Sequence, residues 1–294
     1  MKGTPLTTNP IGVHALVFAG DTSAASVRRA VAKTAETGFD LLEFSLHDSL
    51  NMDVVDTRRQ LEEAGLAVAC SRGLAFDADV SSADPAVVER GAQLLVDSLR
   101  VTHELGGTLL TGALFSALGK YGAPLSTAGR ANVVRVLAEL AAEAKGLGMT
   151  LGLEICNRYE TNVVNTAHEA LLLADDIGAE NVTIHLDTYH MNIEEDDLVR
   201  PVREVGDRLG YVHIGENHRG YLGGGHLDFG AFFHALADIG YTGPITFESF
   251  SSAVLAPGLT ADLAIWRNLW DDGEDLARHA RGFIANQLRA SASR

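Results

Sequence analysis

Residues 181–196 read NVTIHLDTYHMNIEED. The segment opens as a buried strand, with Val182, Ile184 and Leu186 apolar, and closes on Asp187, Tyr189, His190 and Asn192. A carboxylate and an imidazole are costly inside a core but useful at the end of a strand that opens on a ligand site. The fold therefore turns on whether other strands of the chain end in the same way.

They do, and the phrase around them repeats. A helix-like stretch runs to a Gly, and a short β-rich run follows, in AETGFDLLEFSL, LEEAGLAVACS, HELGGTLLTG, AKGLGMTLGLE, DDIGAENVTIHLD, GDRLGYVHIGE and ADIGYTGPITFES. Gly just past a helix takes the left-handed cap without a Cβ penalty. The runs after it are continuously apolar, as parallel strands covered on both faces require. IGVHALVF, before the first helical stretch, makes an eighth strand. Between strands lie amphipathic segments such as SAASVRRAVAKTAET and TAGRANVVRVLAELAAEAKGLG, with Val133, Val136, Leu137 and Leu140 at helical spacing. Eight strand–helix units in 294 residues predict one α/β domain, a (β/α)₈ TIM barrel spanning 1–294, with residues 1–9 and 287–294 frayed. An open doubly wound sheet would carry G-x-G-x-x-G after its first strand, where this chain has VFAGDTSAAS. The Gly-rich YLGGGHLD follows a late strand and reads as a flexible active-site loop.

Composition narrows the function. The formal charge of −16 and the lack of any Lys/Arg run argue against nucleic acid or an anionic membrane as partner, and favour a small neutral or cationic molecule. Two cysteines, Cys70 and Cys156, give no disulfide framework and read as small buried side chains. MKGTPLTTNP lacks an apolar leader core, and the greasiest region is broken by Asp97, Arg100, His103 and Glu104, so a cytoplasmic protein without a membrane span is expected.

The fifth run ends on Glu154, the sixth on Asp187, the seventh on His213 and the eighth on Glu248. Residues two apart share a face of a strand, so these four point into the barrel mouth at one level. Three crowded carboxylates repel one another, and a divalent ion removes the conflict. Three oxygens and one imidazole suit a hard to borderline ion, Mn²⁺, Co²⁺ or Mg²⁺, better than Zn²⁺. Charged residues often cap single strands as a solvated rim; on four consecutive strands that explanation weakens. Beyond these ends lie Asn157, Arg158 and Glu160, then His190, then Glu216, His218 and Arg219. Arg158 and Arg219 can equally serve as partners of neighbouring carboxylates. His185, one layer below Asp187, is either a satisfied core histidine or a support for a metal ligand. His14, Phe18, Phe115, Phe250 and Trp266 are candidates for a pocket wall, and Leu263–Ile284 for a core or interface helix.

The phrases LEICNRYE, HLDTYHMNIEE, VHIGENHRG and FESFSS…IWRNLW resemble the ketose 3-epimerase family, the D-tagatose, D-allulose and L-ribulose 3-epimerases, whose barrel is similar to that of xylose isomerase. The resemblance covers nearly the whole chain and departs at His14, where some relatives place an aromatic residue. It implies one Mn²⁺-type ion per chain on Glu154, Asp187, His213 and Glu248; Glu154 and Glu248 as acid/base pair; and Glu160, His190 and Arg219 on the O1–O3 end of the sugar. It also implies a homodimer or homotetramer and epimerisation of a free ketose at C3 through a cis-enediolate. Ketose–aldose 1,2-isomerisation, polyol dehydration and metal-dependent phosphodiester hydrolysis are the competing reactions for such a site.

Overall fold

The computed structural model describes residues 9–47 and 51–292. Eight strands, β1 (Ile11–His14), β2 (Leu41–Ser45), β3 (Ala67–Ser71), β4 (Leu109–Thr111), β5 (Thr150–Glu154), β6 (Val182–Asp187), β7 (Leu209–Ile214) and β8 (Ile245–Phe247), close into a barrel in chain order. Every neighbouring pair is parallel, and β8 returns to β1. The helices between and after them are α1 (Ala24–Glu36), α2 (Val54–Ala64), α3 (Pro85–Glu104), α4 (Thr127–Gly146), α5 (Ala167–Ile177), α6 (Thr188–Glu194), α7 (Val199–Val205), α8 (Phe229–Asp238), α9 (Pro257–Asp262) and α10 (Gly273–Ser291). The glycine punctuation behaves as read: α2 and α5 end on Gly65 and Gly178, both left-handed at φ 67° and 68°.

Alternation along the strands divides two cores. Val13, Leu42, Phe44, Cys70 and Leu110 face the helices and join the main apolar layer. Leu41, Ala69 and Tyr211 face inward and fill the barrel floor. Full burial of each large apolar side chain contributes about 1.5–3 kcal/mol, so these two layers fix the strands that carry the polar ends.

The strand ends are stepped rather than level. Glu154 pairs with His185, Asp187 with His213, and His213 with Thr246, so Glu248 lies one residue beyond β8. This is the stagger that closing a sheet into a barrel imposes. An irregularity between Ile184 and His185 leaves Gly210 as the extra residue on β7. It brings Tyr211 and His213 inward beside His185 and Asp187, as bulges near sites do.

The first and last described residues are tied down. The Asn9 amide donates to the carbonyls of Tyr241 and Gly243 at 3.0 and 2.9 Å. Helix α10 runs on to Ser291 with Leu288 and Ser291 buried, so residues 287–291 are not frayed. Residues 1–8 and 293–294 lie outside the described residues. The helix expected over Leu263–Ile284 starts only at Gly273; Trp270 is buried before it, while Trp266 is 76% exposed. Among the described residues, no helix is long and apolar enough to cross a membrane.

Candidate active site

Asp187 ends β6 and also begins α6. Its Oδ1 accepts the backbone N–H groups of Tyr189 and His190 at 2.6 and 3.2 Å, which caps the helix and leaves Oδ2 to face His213. This double duty explains the abrupt change from strand to polar turn in NVTIHLDTYHMNIEED. On β5, Thr111 Oγ1 bonds the Gly152 carbonyl at 3.1 Å and fills the space where a Cβ would stand, only 2.4 Å away. Glu154 is thereby held at the mouth.

The four expected donors converge. His213 Nδ1 lies 3.2 Å from Glu154 Oε1, 3.5 Å from Glu248 Oε1 and 3.6 Å from Asp187 Oδ2. All four residues are buried, none exceeding 8% exposure. Ligands held about 2.1 Å from an octahedral ion sit roughly 3 Å apart, so this spacing and this oxygen-rich set fit a divalent cation.

The crowding sets the protonation of the site. Burial alone would strip His213 of its second proton, but Glu43, Glu248, Asp187 and Glu154 hold its pKa well above the ordinary value. Burial pushes Glu248 up to about 8, with Asp187 and Glu154 adding to the effect and His213 and Arg219 opposing it. Burial acts the same way on Asp187 and Glu154, yet His190, His213 and Arg219 bring Asp187 well below the usual range, and His185 and His213 bring Glu154 down. Of the three carboxyls in one cluster, one is thus driven up and two down.

A cavity of about 490 Å³ opens above the cluster. Glu154, Glu160, His190, Arg219 and Glu248 line it, as do His14 and Phe250; Asp187 and His213 lie beneath. Arg219 is sandwiched between the rings of Tyr189 and Phe250, its guanidinium carbon 3.9 and 4.4 Å from their centroids. One guanidinium nitrogen meets Glu248 Oε2 at 3.3 Å, and Nε is buried without a partner among the described residues. The residue has φ 56°, a left-handed backbone unusual for a side chain of this size. Its carbonyl accepts Ser249 Oγ at 2.5 Å, and Ser249 Oγ accepts the indole N–H of Trp270 at 2.8 Å. Glu160 Oε1 accepts the Asn157 amide at 2.8 Å.

Glu154, Cys156 and His190 also approach within 4.8 Å of one another. They do not make a second cation site. His190 Nδ1 accepts the Asn157 backbone N–H at 3.1 Å, so the neutral ring carries its proton on Nε2 and is a donor there. Both cysteines are free and buried.

Other sequence readings are redistributed. Arg158 pairs with Glu194 at 2.7 Å on the surface. The loop containing YLGGGHLD is not a cavity wall: Glu216 accepts the N–H groups of Gly223 and Leu227, and Tyr221 reaches Asp275 on α10. Its glycines let the backbone close around Glu216, whose Oε1 would meet a Cβ on Gly225 at 2.4 Å. Phe18 and Phe115 belong to the outer apolar layer. His185 bonds Thr111 Oγ1 through Nδ1 at 2.8 Å, while its Nε2 has no partner among the described residues. Glu43, wholly buried and 2.7 Å from His213 Nε2, is a site residue that sequence reasoning missed. Its signal was a lone carboxylate inside the apolar run LLEFSL.

Comparison with known proteins matches the same frame. The sequence model of the xylose isomerase-like TIM barrel family covers residues 31–287. The chain is 50% identical over 280 residues to a ketose 3-epimerase of Arthrobacter globiformis, covering 95% of this chain and 97% of that one. It is 50% identical to an L-ribulose 3-epimerase of Methylomonas sp., covering 93% and 96%. A crystal structure of a D-allulose 3-epimerase from Methylomonas sp., in complex with D-allulose, superimposes with TM-score 0.93 at 48% identity, covering 96% and 98% of the two chains.

Proposed function

As the chain belongs to the xylose isomerase-like TIM barrel family, and within it to the ketose 3-epimerases, we propose that it inverts C3 of a free ketose in a metal-dependent reaction with Glu154 and Glu248 as acid and base. Substrates of the L-ribulose, D-tagatose and D-fructose/D-allulose type fit this reading. One observation carries the assignment of roles. Of the four clustered donors, only Glu154 and Glu248 also line the cavity, while Asp187 and His213 are sealed below.

Glu154, Asp187, His213 and Glu248 would hold the ion, Mn²⁺ by the family resemblance, with Co²⁺ or Mg²⁺ as alternatives that the donor set accepts equally. A divalent cation held there would supply Lewis-acid polarisation of the ketose carbonyl and would favour negative charge developing on the substrate oxygens. The chain's own groups do the rest. Glu154 and Glu248 project from β5 and from the end of β8, so one carboxylate takes the C3 proton and the other delivers a proton to the opposite face. Each positioned acid or base typically contributes about 10²–10⁴ in rate. Arg219, held flat between two rings, offers N–H groups to the sugar oxygens, and His190 offers Nε2–H. Glu160, fixed by Asn157, accepts a hydroxyl. The same reading includes a homodimer or homotetramer, which sedimentation velocity measures; exposed Trp266 is an aromatic such an interface would cover.

The test is a panel of ketopentoses and ketohexoses incubated with Mn²⁺-loaded enzyme and resolved by chromatography. C3 epimers are the expected products. Aldoses without any C3 epimer would overturn the reading in favour of 1,2-isomerisation.

A further inference from the structure

Glu43 sits in the middle of β2, opposite His14 on β1, with no solvent exposure. Its Oε2 lies 2.7 Å from His213 Nε2 and accepts the Tyr211 hydroxyl at 2.9 Å. Tyr211 in turn lies 2.6 Å from Thr246 Oγ1. Its other oxygen, Oε1, makes no hydrogen bond among the described residues and has His14 Nε2 3.7 Å away. Enclosing a carboxylate in a barrel costs several kcal/mol of desolvation, and an unbonded buried oxygen adds about 1–3 kcal/mol. Packing alone would favour an apolar side chain here.

What the carboxylate does follows from hydrogen-bond chemistry. His213 has two ring nitrogens. Nδ1 faces Glu154, Asp187 and Glu248, all of which only accept when ionised, so they invite the single proton of a neutral imidazole onto Nδ1. A ring with its proton there has no lone pair for a cation. Glu43 makes the opposite demand from the far side, at a shorter distance, 2.7 Å against 3.2–3.6 Å on the Nδ1 side. We propose that Glu43 is a positioning residue for the cation: it holds the His213 proton on Nε2 and so presents the Nδ1 lone pair to the ion. The proposal rests on the metal-dependent reading above and assigns Glu43 no contact with ion or substrate.

The test uses the full chain and Mn²⁺ alone, with free Mn²⁺ followed by electron paramagnetic resonance. Glu43→Ala should weaken Mn²⁺ affinity about 10–100-fold, the usual cost of losing a partner that orients a ligand. Glu43→Asp keeps the charge but falls one methylene short of Nε2, and should lose as much. Glu43→Gln keeps an oxygen that accepts from Nε2 and should lose less than either. Thermal melts in chelator confirm that each variant is folded, and the Asp and Gln variants keep the test decisive if Ala does not fold. Wild-type affinity in folded Glu43→Ala overturns the proposal. So does Asp matching wild type while Gln matches Ala, because charge alone would then be the cause. Wild-type protein that binds no Mn²⁺ overturns instead the metal-dependent reading beneath it.

Discussion

Taking up a cation should expel protons from this site, and the number follows from its crowding. Facing carboxylates hold the His213 pKa well above its ordinary value, so near neutrality the ring without the ion carries a second proton, on Nδ1 beside the one on Nε2, and the ion displaces the Nδ1 proton. Glu248 is pushed up to about 8, first by its own burial, so near neutrality it too is mostly protonated. Both folded-state values are raised; both protons are therefore present at low pH and compete with the ion, and raising pH removes the competitor. Mn²⁺ binding must tighten as pH rises. Near pH 7 the ion releases about two protons, a roughly hundredfold change in Kd per pH unit; as pH rises through about 8, where Glu248 loses its own proton, the dependence weakens. In energy this is about 1.4 kcal/mol per proton per pH unit. Isothermal titration calorimetry in non-chelating buffers of different ionisation heat counts the protons directly, and the pH series gives the slope. A Kd that does not change between about pH 6 and pH 8, with no buffer dependence of the heat, would refute the protonation pattern read from the carboxylate cluster.

Other outcomes follow from the same geometry. Glu154→Gln and Glu248→Gln should each lower epimerisation by about 10²–10⁴ while still washing solvent deuterium into C3 of one epimer, with opposite preference in the two variants; NMR of sugars recovered from D₂O reads this, and label confined to C1 or C2 rules out the 3-epimerase reaction. Arg219→Ala should lower kcat/KM by about 10–100-fold, the equivalent of one charged hydrogen bond, yet keep one ion per chain by elemental analysis; loss of the ion would make Arg219 an organiser of the cluster instead. Gly152→Ala would set a Cβ 2.4 Å from Thr111 Oγ1 and should cost about 1–3 kcal/mol; an unchanged urea midpoint would show that β4 yields there without strain.

The barrel was legible because its signals are local. Glycine caps and double-sided apolar runs are written in short windows, and the four donors stand at or next to strand ends, where a polar residue breaks an apolar run. The stepped register was not legible, since it depends on barrel closure and on one extra residue in β7. Glu43 was missed because it stands in the middle of a strand, where a lone carboxylate resembles an ordinary exception to the pattern. YLGGGHLD misled because glycine content reports how tightly a backbone can turn, not toward what; here it turns around Glu216. Trp266 and Trp270 are four residues apart in a stretch without regular structure, so no periodicity separated the exposed ring from the buried one.

Those two rings also give the molecule an optical gauge. Trp266, 76% exposed, should emit at long wavelength and be quenched by iodide, whereas Trp270, 4% exposed, should emit to the blue and be shielded. The shielded indole is one hydroxyl removed from the backbone of the cavity-lining Arg219, through Ser249. Replacing Trp266 by Phe would leave a single emitter wired to Arg219. Its spectrum would then report, without label or coupled assay, whether a sugar engages that arginine.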